Sequence, residues 1–263
     1  MPYANSDTGI EIYYELHGEG PAIAFIHGSG GHHAAWWQQV AALRERYTVI
    51  TLDLRGFGNS SSDQDEYDSL KFPADIIAVL EHAGVGRAAL LGQSIGAAAA
   101  MKVALQRPDL VSAVIPAHSL GGIDHPELAA LVKADRAEAE KLPVLDRLMS
   151  SSFQLQEPAK TFLFRQMGTF NKAKMQDLRN LTAGGPSLEQ LRDSGIKVYF
   201  LAGEQDAVLS LKTVRRANEL VEGSSLEVVA GAPHSMYWEV PEQFNAAVER
   251  ILHDIYAPDA ITA

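Results

Sequence analysis

"ALLGQSIGAAAAMKVAL", residues 89–105, begins as a short apolar strand and ends in four consecutive alanines among good helix formers. Between the two lie Gly92, Gln93, Ser94, Ile95 and Gly96. A chain that passes directly from strand to helix must bend sharply, and the residue at the apex is held strained and exposed. Glycines on either side remove Cβ atoms that would clash as the segments cross. The helix N-terminus behind the apex offers free N–H groups and the positive end of its dipole. Such a joint exposes Ser94 as a nucleophile. G-x-S-x-G alone is only moderately specific, and a serine that caps a helix or tightens a turn would match it too, so its surroundings decide.

Working outward, apolar runs predict strands at residues 10–18, 22–27, 48–53, 88–93, 110–118, 196–203 and 225–231. Helices are predicted around 34–46, 70–83, 95–107, 209–221 and 241–256. Alternation of this kind implies right-handed crossovers and a mostly parallel sheet. The rhythm breaks after residue 120, where a helical stretch with breaks at Pro126, Pro143, Pro158 and Gly184-Gly185-Pro186 contains no convincing strand. The expected organisation is an α/β core domain formed by residues 1–120 and 189–263, with a helical insertion at 121–188. The tail at 257–263 is expected to fray.

The 263 residues suit one large α/β domain, and 46% hydrophobic residues supply a sizeable core. Twenty-two basic against 33 acidic residues give a formal charge of −11, which argues against nucleic acid or anionic lipid as partner. The absence of cysteine excludes disulfides, thiolate catalysis and cysteine-based zinc sites. The N-terminal twenty residues have neither a basic nor an apolar signal region, and no apolar run is long enough to span a bilayer. The expectation is a cytoplasmic protein, monomer or homodimer, acting on a small molecule without cofactor or metal.

A serine hydroxyl needs a base. Of nine histidines, His234 in "GAPHSMYWEVP" follows a predicted strand, behind a glycine and a proline that fix a turn. His118, also after a strand, is the second choice. The base needs a carboxylate to hold its tautomer. Asp206 in "FLAGEQDAV" lies three residues past a strand-ending glycine and 28 before His234, which gives the chain order Ser, Asp, His. Asp124 and Glu204 compete for this role, whereas Asp53 in "DLRGFGNS" reads as a structural residue that bonds backbone N–H groups. In "FIHGSGGHH" a buried strand ends in His27 and Gly28, and its glycines let amides face a pocket. The N–H groups of Ser29 and Ile95 are the expected oxyanion donors. A phosphate cradle is excluded, because there is no G-K-[ST] and no G-x-G-x-x-G opens the helix.

HGSGG after the first long buried strand, DLRGFGNS after the next, GQSIG at the elbow, and GEQD and GAPH near the end together resemble the α/β-hydrolase superfamily over nearly the whole chain outside the insertion. The resemblance implies a doubly wound, eight-stranded-type sheet, Ser94 as nucleophile, His234 as base, Asp206 as its orienter, and residues 121–188 as a cap over the site. It implies hydrolysis of a small ester or lactone through an acyl-enzyme. HGSGG also resembles the loop of C–C bond hydrolases acting on aromatic ring-cleavage products, though that loop's proline and a tryptophan directly after His234 are missing. Hydroxynitrile lyases, cofactor-free oxygenases and perhydrolases share such triads. Dehalogenases and epoxide hydrolases carry aspartate where Ser94 stands. A ligand-binding receptor on the same scaffold is the reading of a different class.

Aromatic and methionine residues favour an apolar or aromatic substrate. Phe153, Phe162 and Met167 in the insertion, with Gly28, Trp36, Trp37, His118, Met236, Tyr237 and Trp238 near the loops, are the expected lining.

Overall fold

The computed structural model describes residues 2–6, 9–60 and 62–257. One sheet holds eight strands: β1 (Tyr3–Asn5), β2 (Glu11–His17), β3 (Ala22–Ile26), β4 (Thr48–Leu52), β5 (Ala88–Gln93), β6 (Val111–Ala117), β7 (Tyr199–Gly203) and β8 (Ser225–Val229). Their spatial order is β1-β2-β4-β3-β5-β6-β7-β8. β2 runs antiparallel to β1 and β4, and every other neighbouring pair is parallel. β3, β4, β5 and β7 are buried at every position, as apolar runs covered on both faces must be. The doubly wound, mostly parallel sheet is the one expected. Three residues are too few for an alternating pattern to register, so β1 has no counterpart among the predicted strands.

Successive strand residues point to opposite faces. Leu90 and Phe200 therefore enter one core, with Ile76 of α2 (Phe72–Ala83), Val103 of α3 (Ile95–Gln106), Leu191 of α8 (Leu188–Ser194) and Val214 of α9 (Leu211–Leu220). Leu91 and Leu201 enter the other, with Leu43 of α1 (Trp37–Leu43), Met236 of α10 (Met236–Glu239) and Phe244 of α11 (Pro241–Tyr256). α11 shows why these segments are helical. Phe244, Ala247, Val248, Ile251 and Leu252 are buried at i, i+3, i+4, i+7 and i+8, one stripe facing the sheet. Pro241 starts the helix where its missing N–H costs nothing.

Between β6 and β7 the chain forms α4 (Pro126–Ala139), α5 (Val144–Leu148), α6 (Ser151–Gln156), α7 (Pro158–Met167) and α8. α4 lies against α9, tied by Arg216 on Glu127 and by Asp135 accepting from the Ser210 backbone N–H at 2.9 Å. α8 packs on α3. Its first residue, Leu188, is the last of the expected insertion, so that boundary cuts a helix whose Leu191 belongs to the main core. The middle of the segment reaches the strand ends. There Leu148 accepts from the Ser235 N–H at 2.8 Å, and Asn171 donates to the Gly31 carbonyl at 3.0 Å. The fraying expected of the tail concerns residues 258–263, which lie outside the described residues, as well as Ala257.

The elbow is the tightest joint. A Cβ on Gly92 would stand 2.4 Å from the Cα of Ala97, and one on Gly96 would stand 2.4 Å from the Ile26 carbonyl oxygen. Both obstacles are backbone, so α3 sits directly on β5 and β3. Gly96→Ala is expected to force α3 away from β3 and to destabilise the fold by about 3 kcal/mol, read as a lower urea midpoint.

Candidate active site

Parallel pairing brings the carboxyl ends of the strands to one edge, where Ile26 pairs with Gly92, Gln93 with Ala117, and Gly203 with Val229. The loops that follow therefore meet there, the usual location of sites in such sheets. Ser94 sits at φ 52° and ψ −114°, left-handed backbone that a non-glycine residue adopts only under strain of about 1–3 kcal/mol. Its N–H bonds the Ala117 carbonyl at 3.3 Å, and Ser119 donates to its carbonyl at 3.1 Å. The strained apex is thus held by β6.

Asp206 follows β7 and His234 follows β8. The Asp206 carboxylate receives the His234 Nδ1–H at 2.8 and 2.9 Å. Its Oδ1 also accepts the N–H groups of Val208 at 2.7 Å and Leu209 at 3.0 Å. Burial pushes the Asp206 carboxyl upward, but the His234 charge and the hydrogen bonds from His118 and His234 outweigh it and hold the group well below the usual carboxylate range. The other acids considered stand elsewhere. Glu204 accepts from the Gly231 N–H at 2.8 Å, and Asp124 is exposed.

Ser94 and His234 line one cavity of about 630 Å³ with Ser29, Gly30, Gly31, Gln93, Val144, Leu145, Leu148, Phe164, Arg165, Gly168, Ser235 and Tyr237. Ile95 opens α3, so its N–H has no intrahelical acceptor. Ser94, His234 and Ser29 thus line the same cavity, and Asp206 is hydrogen-bonded to His234 behind it.

The expected lining fares differently, and Tyr237 alone of its ten residues faces the cavity. Trp36 is 1% exposed, stacked below among Phe25, Tyr237 and Phe244. Met236 is fully buried in the same core. Trp238 is sealed between Trp37 and Phe164, and Trp37 is itself on the outer surface of α1. Phe153 and Met167 pack into that core from the insertion, while Phe162 is 64% exposed on the solvent side of α7. Gly28 is covered by Gln93, whose Oε1 would be 1.8 Å from any Cβ there. His118 lies behind the Asp206–His234 pair. Its backbone has φ 54°, its ring is 5.1 Å from that of His234, and its Nδ1 is 3.4 Å from Asp206 Oδ2. Burial holds its pKa below the ordinary histidine value. The residues missed include Gln93 at the end of β5, Phe164 on α7, Gly168 just after it, and Val144, Leu145 and Leu148, which lie on one side of α5.

Two groups could present metal ligands, His118 with Asp206 and His234, and His32 with His33 and Asp53. In both the carboxylate is already committed to N–H donors. Asp53 accepts from the backbone N–H groups of His33 at 2.5 Å and Asn59 at 2.7 Å, the structural task its loop suggested.

His27 is also structural. Its Nδ1–H donates to the Gly28 carbonyl at 2.7 Å and its Nε2 accepts the Leu54 N–H at 3.0 Å, which requires the neutral ring. Burial pushes its pKa down to about 4, against the opposing charge of Asp53. Between pH 6.5 and 4 the unfolded chain therefore binds a proton that the folded chain refuses. Stability is full above that window and falls as pH drops through it, by about 3 kcal/mol. His27→Gln should show a smaller drop in Tm between pH 7 and pH 4.5 than the parent; an equal drop contradicts the assignment.

The family model for the alpha/beta hydrolase fold matches residues 21–241. The 3-oxoadipate enol-lactonase 2 of Acinetobacter baylyi is 27% identical over 237 aligned residues, covering 88% of each chain. Among solved structures, a thermophilic esterase from Thermogutta terrifontis superposes with TM-score 0.82 at 23% identity, covering 97% of this chain and 98% of its own. A bromoperoxidase from Bacillus anthracis gives 0.77 at 23% identity, covering 96% and 99%. At such identity these two likenesses concern the fold.

Proposed function

The chain belongs to the alpha/beta hydrolase fold family, and from that premise we propose that it is a serine hydrolase that cleaves small carboxylic esters or lactones through an acyl-enzyme. The observation that carries this is the carboxylate of Asp206 on Nδ1 of His234, at the rim of the cavity that the strained Ser94 also lines.

Ser94 Oγ attacks the substrate carbonyl carbon while its proton passes to His234 Nε2. Asp206 holds the ring in the tautomer that leaves Nε2 free to accept and stabilises the imidazolium that results. General base action of this kind contributes about 10²–10⁴-fold. The negative charge that develops on the carbonyl oxygen is met by the N–H groups of Ser29 and Ile95, each worth about 10²–10³-fold in such a role. Collapse expels the alkoxide, which takes the proton from His234. Water then attacks the acyl carbon by the same route and frees Ser94. In a lactone the leaving alcohol stays attached to the acyl group.

The walls favour an apolar or aromatic body, since Val144, Leu145, Leu148, Phe164 and Tyr237 surround the space above Ser94. The relation to an enol-lactonase supports acyl chemistry at this site. With p-nitrophenyl butyrate, rapid quenching should reveal a burst of about one nitrophenolate per protein and a butyryl group on Ser94. Hydrolysis without any acylated Ser94 would overturn the reading.

A further inference from the structure

Within the cavity, one lining residue carries a fixed positive charge. Arg165 projects from α7 into a space otherwise bounded by apolar side chains, small polar groups and the Ser94–His234 pair. Two nearby cations of the insertion, Arg147 and Lys160, have their charges engaged. Arg147 donates to the carbonyls of Leu142 and Glu140, and Lys160 pairs with Glu157 at 3.6 Å. Arg165 has no acidic partner among the described residues.

The charge of the surrounding segment points the same way. Residues 144–179 contain six basic residues, Arg147, Lys160, Arg165, Lys172, Lys174 and Arg179, against three acidic ones, Asp146, Glu157 and Asp177, a net of +3. The whole chain is at −11, so the remaining residues stand at −14. Part of this cationic stretch lines the cavity, and in an anionic protein its positive field favours anions there. The placement also sorts the two ends of a substrate. Phe164 and the α5 residues offer an apolar wall, while Arg165 is solvent-exposed at the rim, where an ionised group keeps part of its hydration.

We propose that the physiological substrate is an apolar ester or lactone carrying a carboxylate distant from the scissile bond, and that Arg165 binds this carboxylate. The guanidinium fork matches a carboxylate with two parallel hydrogen bonds, which a lysine cannot reproduce in full. The proposal rests on the esterase reading above for its turnover, though not for its binding.

The test uses two esters that differ only at the far end, the mono-p-nitrophenyl ester of glutaric acid, which ends in a carboxylate, and p-nitrophenyl pentanoate, which ends in a methyl group. The ratio of their kcat/KM values should fall about 10-fold in Arg165→Gln, through KM, and recover in part in Arg165→Lys. Lys141→Gln, on the insertion but outside both the cavity and the cationic stretch, where it pairs with Glu138, should leave the ratio unchanged. The ratio in the parent should also decline as salt is raised from 20 to 500 mM, as screening removes the attraction. A ratio unaltered by Arg165→Gln overturns the proposal. Binding is read separately on the Ser94→Ala protein, where monomethyl glutarate should bind about 10-fold more weakly once Arg165→Gln is added; equal binding overturns the clamp. If the parent hydrolyses neither ester, the serine-hydrolase reading fails while the binding arm still decides the role of Arg165.

Discussion

Ser94→Ala is expected to lower kcat on p-nitrophenyl butyrate by about 10⁵–10⁶-fold while leaving the fold intact. In the proposed mechanism this hydroxyl makes and breaks the acyl bond, and the other serine hydroxyls on the cavity wall, those of Ser29 and Ser235, are not on the strained elbow. Some acceleration over water should survive from the two amides and from binding alone. The strain at this position gives a second readout. Alanine keeps the left-handed strain at φ 52°, whereas glycine relieves it. Ser94→Gly should therefore be as inactive as Ser94→Ala yet more stable by about 1 kcal/mol, seen as a higher urea midpoint. A residual kcat within a hundredfold of the parent would remove Ser94 from the chemistry.

Asp206→Asn should cost about 10⁴-fold in kcat with little change in KM. The hydrogen bonds around the carboxylate give the reason. Oδ1 accepts the N–H groups of Val208 and Leu209, so an asparagine keeps its carbonyl there and turns its NH₂ toward His234. Nδ1 must then accept, Nε2 carries the proton, and the base can no longer take one from Ser94. The far-UV circular dichroism spectrum should match the parent. A loss below tenfold would mean that another acid orients the base.

The meeting of Asp206 and His234 was legible in the sequence because parallel strands translate chain order into position. Gly203 and Val229 are partners in the β7–β8 register, and Asp206 and His234 follow them by three and five residues, so counting past the strand ends brings them together. The glycines of the elbow carried the same information, since their missing Cβ atoms mark where α3 touches β3 and β5. The cavity lining was not legible, for a physical reason. Trp36, Met236 and Trp238 have the composition of a pocket but fill the core beneath it, and burial against protein leaves the same apolar signature as burial against substrate. α5 and α6, of five and six residues, are too short for periodicity to say which side faces inward.

The most direct measurement is intact-protein and peptide mass analysis after exposure to a fluorophosphonate, which reacts far faster with a serine activated by a base and facing an oxyanion site than with ordinary hydroxyls. The account predicts stoichiometric modification of Ser94 in the parent, strongly slowed in Asp206→Asn and absent in Ser94→Ala. An unmodified parent protein, or a modification on any residue other than Ser94, would contradict it.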